Sequence, residues 1–129
     1  MASAAAKAYS GTIWENTSPA CAARITDVAG DPITQATTAS INYEVRDKSN
    51  PKVVTGSGTV IVSSSVFDTY QTPESWNVDS IGYNFMHRPP PSCFKLGGRV
   101  YAVEYKFTPA AGDAYYVIFE IHTREVQRT

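Results

Sequence analysis

Two stretches near the carboxyl end of the chain alternate between apolar and polar residues, and they constrain the fold more than any other feature. Residues 100–108 and 115–123 each place every second side chain on one apolar face. These faces consist of Tyr101, Val103, Tyr105 and Phe107 in the first stretch and Tyr115, Val117, Phe119 and Ile121 in the second. A period of two is typical of a half-buried β-strand. Because Pro-Ala-Ala-Gly-Asp separates the stretches, we expect an antiparallel hairpin.

Shorter segments upstream have the same character. Residues 40–47 alternate cleanly, and residues 53–63 carry Gly56 and Gly58, which predict a bulge or bend in a strand. Further strands are predicted at 21–27, 66–70 and 83–87, each bounded by turn residues. The body has no stretch of useful length with a helical period. Seven or so short strands separated by turns predict an all-β sandwich or barrel.

The first 18 residues differ from the rest of the chain. They are rich in small residues and show no alternation, whereas residues 19–129 fit one β-domain of ordinary size. Such a segment buries too little apolar area to offset the entropy lost when its backbone becomes ordered. We therefore expect residues 1–18 to form an extended arm that docks on a partner subunit through Tyr9, Ile13 and Trp14.

Composition and charge argue against several classes of partner. Charged residues make up 18% of the chain and the formal net charge is -1, so a broad basic face for nucleic acid is not expected. No apolar run reaches the roughly 20 residues of a membrane-spanning helix. The first residues lack the apolar core of a secretory signal, which predicts synthesis in a cytoplasm.

The two cysteines, Cys21 and Cys93, are far enough apart for an immunoglobulin-type disulfide. The tryptophan expected soon after the first cysteine of such a domain is missing. Cytoplasmic synthesis also favours reduced thiols. We therefore expect two separate, buried, free cysteines.

No set of residues in the sequence has the pattern of a catalytic or metal site. His87 and His122 are not paired by any motif, so they are expected to be ordinary surface histidines. Asp27 and Asp31 flank a turn, which is a commoner role for aspartate than calcium binding. Nucleophile elbows and nucleotide-binding loops are missing from the sequence. We expect no catalytic residue, no cofactor and no metal.

The irregular segment at 71–82 is the most distinctive loop. Trp76 lies among polar residues there, with Tyr70 and Tyr83 close in sequence. Aromatic residues in a polar setting are typical of interface anchors. The same composition would suit a cap on one end of the core or a sugar-stacking site, and the sequence leaves these three interpretations open.

Residues 22–122 carry loose motifs in a layout that resembles the small immunoglobulin-like domains of phage virion and baseplate proteins. The motifs are ITDVAGDPITQA, an alternating strand ending at Asp47, TGSGTV, GYNF and LGGRVYAVEYKFTPAAGDAYYVIFEI. They mark turns and core positions and carry no chemistry. Two departures are the three-residue step from Gly98 to Tyr101 and a longer, more aromatic segment at 67–85.

The resemblance implies an immunoglobulin-like two-sheet sandwich with an extended amino-terminal arm. It also implies a non-enzymatic structural component of a bacteriophage particle, in capsid decoration, the neck, or the tail and baseplate. The partners would be other virion subunits in a symmetric assembly, and the protein would be located in the virion. The alternative is a carbohydrate- or ligand-binding module of a bacterial surface, which would use the aromatic loop.

Overall fold

The computed structural model describes residues 8–27, 30–50, 52–72 and 81–126. These contain eight strands: β1 Ala8–Trp14, β2 Cys21–Ala23, β3 Thr38–Asp47, β4 Val54–Val60, β5 Val66–Gln71, β6 Tyr83–His87, β7 Val100–Pro109 and β8 Tyr115–Arg124. A short helix, α1, spans Val62–Ser65, and a 3-10 turn spans Pro91–Phe94.

The strands form two sheets that pack face to face. The larger sheet has the order β1-β8-β7-β3-β4 and the smaller has the order β2-β6-β5. The small sheet has the B-E-D order of an immunoglobulin domain, and β8-β7-β3 has its G-F-C order. The all-β, immunoglobulin-like two-sheet sandwich is therefore confirmed, with β4 as an additional strand beside β3.

The predicted hairpin lies at the centre of the larger sheet. β7 and β8 are antiparallel, with Tyr105 opposite Val117 and Phe107 opposite Tyr115. Gly112 adopts a positive φ of 102° in the loop between them, a conformation that side chains with a Cβ rarely adopt. β7 also pairs along its length with β3, so the three strands with the clearest alternation are neighbours.

The apolar faces identified in the sequence form the core. Tyr43, Val45, Val103, Val117 and Phe119 are all buried, as predicted. Aromatic rings join the two sheets: the Phe85 ring of β6 meets the rings of Tyr105 and Phe107 in β7 edge-on, with 5.0 Å between centroids in each case. Such edge-to-face pairs add to the stabilisation that burial alone provides.

The glycine-containing strand is bulged, as predicted. Val45 of β3 lies opposite Gly56, but the next residue, Arg46, lies opposite Val54, so Thr55 is the additional residue. Its hydroxyl donates to the Cys93 carbonyl at 2.9 Å. A Cβ at Gly56 would overlap the Cys93 sulfur, so glycine permits the 3-10 turn to pack closely on the bulge.

The expected amino-terminal arm is, over Ala8–Trp14, a strand of the sandwich. β1 pairs in parallel with β8 along its whole length, from Ala8 beside Ile118 to Trp14 beside Arg124. The following residues are also attached to the domain, because the buried Glu15 carboxylate accepts the Val126 amide at 3.1 Å. Ladder hydrogen bonds give this segment the stabilisation that its small side chains do not supply.

The predicted strand at 21–27 is shorter than expected. The ladder with β6 ends at Ala23, and the buried side chain of Asn84 then replaces it. The Asn84 amide oxygen accepts the Ile25 amide at 2.8 Å, and its nitrogen donates to the Ile25 carbonyl at 2.9 Å. The backbone groups of Ile25 are thus satisfied without a strand neighbour.

Candidate interaction surface

Three of the predicted interface residues lie on β1, where they have different environments. The Tyr9 backbone pairs with Phe119. Ile13 is half-buried against the core, which corrects its assignment as a docking side chain. Trp14 points away from the core and is 55% exposed, so it remains available for a partner.

The other three predicted residues belong to the region of the 71–82 loop. Trp76 lies outside the described residues. Tyr83 is only 9% exposed and meets the Phe67 ring edge-on at 5.9 Å, so it is a core residue and not an interface anchor. Tyr70 is half-buried, with the Arg24 guanidinium 5.9 Å above its ring. The ring face that Arg24 covers cannot stack on another group.

An apolar patch that sequence reasoning missed lies on the solvent side of the larger sheet, which we call the outer face. Tyr116 and Ile118 of β8 are 49% and 38% exposed there, although both lie within a strand. On this side Lys106 and Glu104 of β7 are their strand neighbours. The signal was present in the sequence, because a half-buried strand normally carries polar residues at outward positions.

Charged pairs occupy other parts of the outer face. Arg46 is paired with Glu44 on its own strand and lies 3.4 Å from the Glu104 carboxylate on β7. Further along the sheet, Lys48 and His122 lie 3.0 and 2.9 Å from Glu120, and hydrogen bonds from both side chains lower the pKa of that carboxyl. Exposed pairs of this kind contribute little to stability.

The sheet edges offer backbone hydrogen-bonding groups. In the described part of the chain, β1 and β4 are the edge strands of the larger sheet, and β2 and β5 are those of the smaller sheet. An edge strand can accept an added strand from another chain. At the end of β1, Trp14 is the register partner of Arg124 and its side chain is exposed, so an aromatic side chain adjoins one of these edges.

A polar cluster inside the sandwich corrects the expectation for His87. This residue is half-buried, and its Nδ1 lies 2.8 Å from the Tyr105 hydroxyl. The same hydroxyl interacts with the Cys21 thiol, and this interaction affects the pKa of both groups. In an immunoglobulin domain a disulfide links strands B and F. Here the corresponding contact joins a cysteine of β2 to a tyrosine of β7.

The cluster favours neutral side chains. Both cysteines are buried and free, as the sequence predicted. Burial raises the pKa of the Cys21 thiol to about 12 and raises the pKa of the Tyr105 hydroxyl, while it lowers the pKa of His87. A thiol protonated at neutral pH is a poor nucleophile. The cluster therefore has the properties of a structural hydrogen-bond network.

Among the residues that the structure describes, no three His, Cys, Asp or Glu side chains are grouped so that they could hold a metal ion. Within the same ranges, neither helical segment has the length and apolar character needed to cross a bilayer.

Comparison with known proteins provides no relative. The sequence matches no protein-family description, and no curated protein and no solved structure is significantly similar to the chain.

Proposed function

We propose that this chain is a non-enzymatic structural component of a bacteriophage particle. It acts through protein–protein contacts with neighbouring virion subunits in a symmetric assembly, as a capsid-decoration, neck, or tail and baseplate protein. The sequence resemblance described above supports the phage assignment. The immunoglobulin-like sandwich is the fold which that resemblance implies.

The observation that carries a contact function is the exposed apolar patch on the outer face. Tyr116 and Ile118 occupy outward positions of a strand, where burial in the isolated domain is not possible. Large apolar side chains in a polar surround are typical of the centre of a protein–protein interface. A neighbouring subunit that covers these residues would remove their apolar surface from water.

Edge strands provide a second mode of attachment. A virion subunit that adds a strand beside β1 would form a backbone ladder, and the exposed Trp14 would give it a side-chain contact. Repetition of each contact around a symmetry axis multiplies weak pairwise interactions. Neither mode of attachment requires a reactive group.

Incorporation of the protein into particles tests the proposal. Phage particles from a culture carrying the gene are purified through a density gradient and analysed by mass spectrometry for peptides of this chain. The culture also expresses tagged copies of the wild-type chain, of Ile118→Glu and of Asn42→Glu. Asn42 is the matched control, because it is exposed on the same outer face, on β3.

We expect wild-type and Asn42→Glu protein in the purified particles and a loss of Ile118→Glu. A charge at the centre of an interface would be desolvated without a partner. Thermal melts of the isolated variants confirm that each is folded. Particles that lack this chain altogether, or that incorporate Ile118→Glu as well as wild type, would contradict the proposal.

A further inference from the structure

The outer edge of β1 is an open strand edge that lacks the usual protection. Its seven residues pair with β8 on one side without interruption, and among the described residues no strand lies on the other side. The segment Ala8–Trp14 has no charged residue, no proline and no bulge. Proteins normally place one of these features on an exposed edge, because each hinders pairing with another chain. The β1 edge is therefore open to strand addition.

The other sheet edges are each protected. β4 contains the bulge at Thr55, whose hydroxyl is bonded to the 3-10 turn, and β2 has only three residues. β5 carries Asp68, and the Gln35 side chain donates to the Val66 carbonyl at 2.9 Å, so a loop residue already occupies one backbone acceptor of that strand. Within the described part of the sandwich, β1 is the edge best suited to an added strand.

The direction of the backbone groups of β1 follows from one hydrogen bond. Glu15, the residue after the strand, donates its amide to the Arg124 carbonyl of β8 at 2.9 Å. The backbone groups of successive strand residues point to alternate sides, so the odd-numbered residues of β1 face β8. The even-numbered residues, from Ala8 to Trp14, direct their amides and carbonyls to the open edge. Each of them offers one donor and one acceptor to an added strand.

We propose that β1 pairs with β1 of a second copy of this chain, antiparallel and across a two-fold axis at Gly11. This register pairs the whole strand: Ala8 lies opposite Trp14 of the second copy, and Ser10 lies opposite Thr12. The edge-facing residues then form about eight backbone hydrogen bonds between the copies. Because β1 carries no charge, the pairing brings no like charges into opposition. The two larger sheets become one continuous sheet in a closed dimer.

The same register accounts for two exposed apolar features of the outer face. Ile118 is the register partner of Ala8, and Trp14 is on the same face because it lies an even number of residues from Ala8. In the dimer, Trp14 of the second copy is the neighbour of Ala8, about 10 Å from Ile118 across two strand spacings. Alanine has a single methyl group, so the indole can extend over this position toward Ile118, with Tyr116 further along β8. Side chains that are 55%, 38% and 49% exposed in the isolated domain thus cover one another.

The dimer rests on the contact function proposed above and names its partner. It is tested on the purified full chain, without a phage particle. A chain that is monomeric in solution would overturn the dimer and leave incorporation into particles unaffected. A dimer with the expected register would stand even if purified particles lacked this chain.

Sedimentation equilibrium of the full chain over a range of concentrations measures the association. We expect a reversible equilibrium between monomer and dimer with a dissociation constant that is micromolar or weaker, because one strand per copy forms a small interface. A chain that is still monomeric at about 1 mM would overturn the proposal.

Variants of β1 test the edge. Thr12→Pro removes an amide that faces the open edge, so the domain should stay folded and the dissociation constant should rise at least about tenfold. Thr12→Val keeps the amide and is the matched control, with the dissociation constant of wild type. Trp14→Ala should raise the constant about tenfold, whereas Ile61→Ala, at a side chain 67% exposed between β4 and α1, should not change it. Thermal melts confirm that each variant is folded. Unchanged constants in folded Thr12→Pro and Trp14→Ala would overturn the proposal.

A cross-link tests the register. Gly11 lies opposite its own copy in a non-hydrogen-bonded pair, with Cα atoms about 4.5 Å apart, which is close enough for a disulfide. A Cβ at Gly11 would meet no described atom within 4 Å, so Gly11→Cys fits the isolated domain. With oxidised glutathione, Gly11→Cys should form a disulfide-linked dimer, whereas wild type and Thr12→Cys, which lies opposite Ser10, should not. If Gly11→Cys forms no linked dimer, or Thr12→Cys forms one as readily, the register is wrong.

Discussion

In this protein, individual side-chain contacts take the place of the disulfide that links strands B and F of an immunoglobulin domain. Cys21 has the place of a disulfide cysteine on β2, but its partner is the Tyr105 hydroxyl, which His87 also contacts at 2.8 Å. One phenol therefore connects β2, β6 and β7 across the two sheets. A buried network of this kind stabilises the fold only while all of its members are satisfied.

Tyr105→Phe tests the network by removing this shared hydroxyl. We expect the free energy of unfolding to fall by about 1–3 kcal/mol, because polar groups of His87 and Cys21 lose a buried partner. Tyr115→Phe is the matched control, because no described residue hydrogen-bonds that hydroxyl, and it should change stability by less than about 0.5 kcal/mol. Urea unfolding of both variants measures the difference, and equal effects would contradict the network.

The half-buried imidazole of His87 predicts a dependence of stability on pH. Burial lowers the pKa of His87 in the folded state. Below the ordinary histidine pKa of about 6.5, the unfolded chain therefore binds a proton that the folded chain does not. The contribution of His87 is fully present above that pH and is lost as the pH falls toward the lower folded pKa.

Urea unfolding at a series of pH values from about 7.5 to 5 measures this dependence. We expect His87→Asn to show a smaller loss of stability over that range than wild type. If the slope is the same in His87→Asn as in wild type, His87 is not the titrating group.

At the level of strands, β1 is the element that differs most from the sequence-based prediction, which made it part of a docking arm. Its pairing with β8 spans more than a hundred residues of sequence, from Ala8 to Ile118. The inward Ile13 packs against the core and the outward Thr12 is exposed. If this segment were an arm that contacts only a partner subunit, substitutions at either position would leave the stability of the isolated protein unchanged.

The two positions on β1 give opposite expectations. Ile13→Asp should lower the free energy of unfolding by about 2–4 kcal/mol, because it places a charge against the core. Thr12→Asp, one residue away on the solvent side, should stay within about 1 kcal/mol of wild type. Thermal melts of the full chain measure both. Equal and small effects would mean that β1 does not contribute to the stability of the sandwich.

The elements that the sequence predicted best are those with local signals. β3, β7 and β8 alternate over eight or more residues, so their positions and buried faces follow from period alone. β1 was missed because Ala-Tyr-Ser-Gly-Thr-Ile-Trp does not alternate and its ladder depends on a distant strand. The early end of β2 depends on Asn84, which lies about sixty residues away.

The residues of the candidate interaction surface could be predicted only in part from the sequence. Trp14 is exposed, as an interface residue must be, whereas Tyr83 looks equally suitable in sequence and is buried. The sequence around a loop has the same aromatic composition whether the rings face solvent or cap a core. The contact between the Phe67 ring of β5 and the Tyr83 ring of β6 distinguishes the two cases. Tyr116 and Ile118 could have been identified from their outward positions in an alternating strand.

At the level of the whole molecule, the two thiols lie in one continuous core although they belong to different elements. Cys21 is on β2 and Cys93 is in the 3-10 turn that packs on the β4 bulge. No local movement of a single loop would expose both side chains. Their reactivity should therefore report the opening of the whole sandwich.

Alkylation followed by intact mass tests this without any reductant. In native buffer, both thiols should resist iodoacetamide, and in denaturant the protein should take up two alkyl groups. The native rate should rise with urea as the unfolded population rises. A denatured protein that takes up no alkyl group until reductant is added would show a disulfide and contradict the free thiols.

The parallel pairing of β1 and β8 determines how the domain responds to tension. The chain enters β1 at the end of the sheet where β8 begins and leaves β8 at the opposite end, beside Trp14. A force that pulls Ala8 and Arg124 apart slides one strand along the other and strains the hydrogen bonds of this ladder together. Peeling from one end, which would break these bonds in succession, requires a different direction of pull. The domain should therefore resist force best when it is pulled along the line from Ala8 to Arg124.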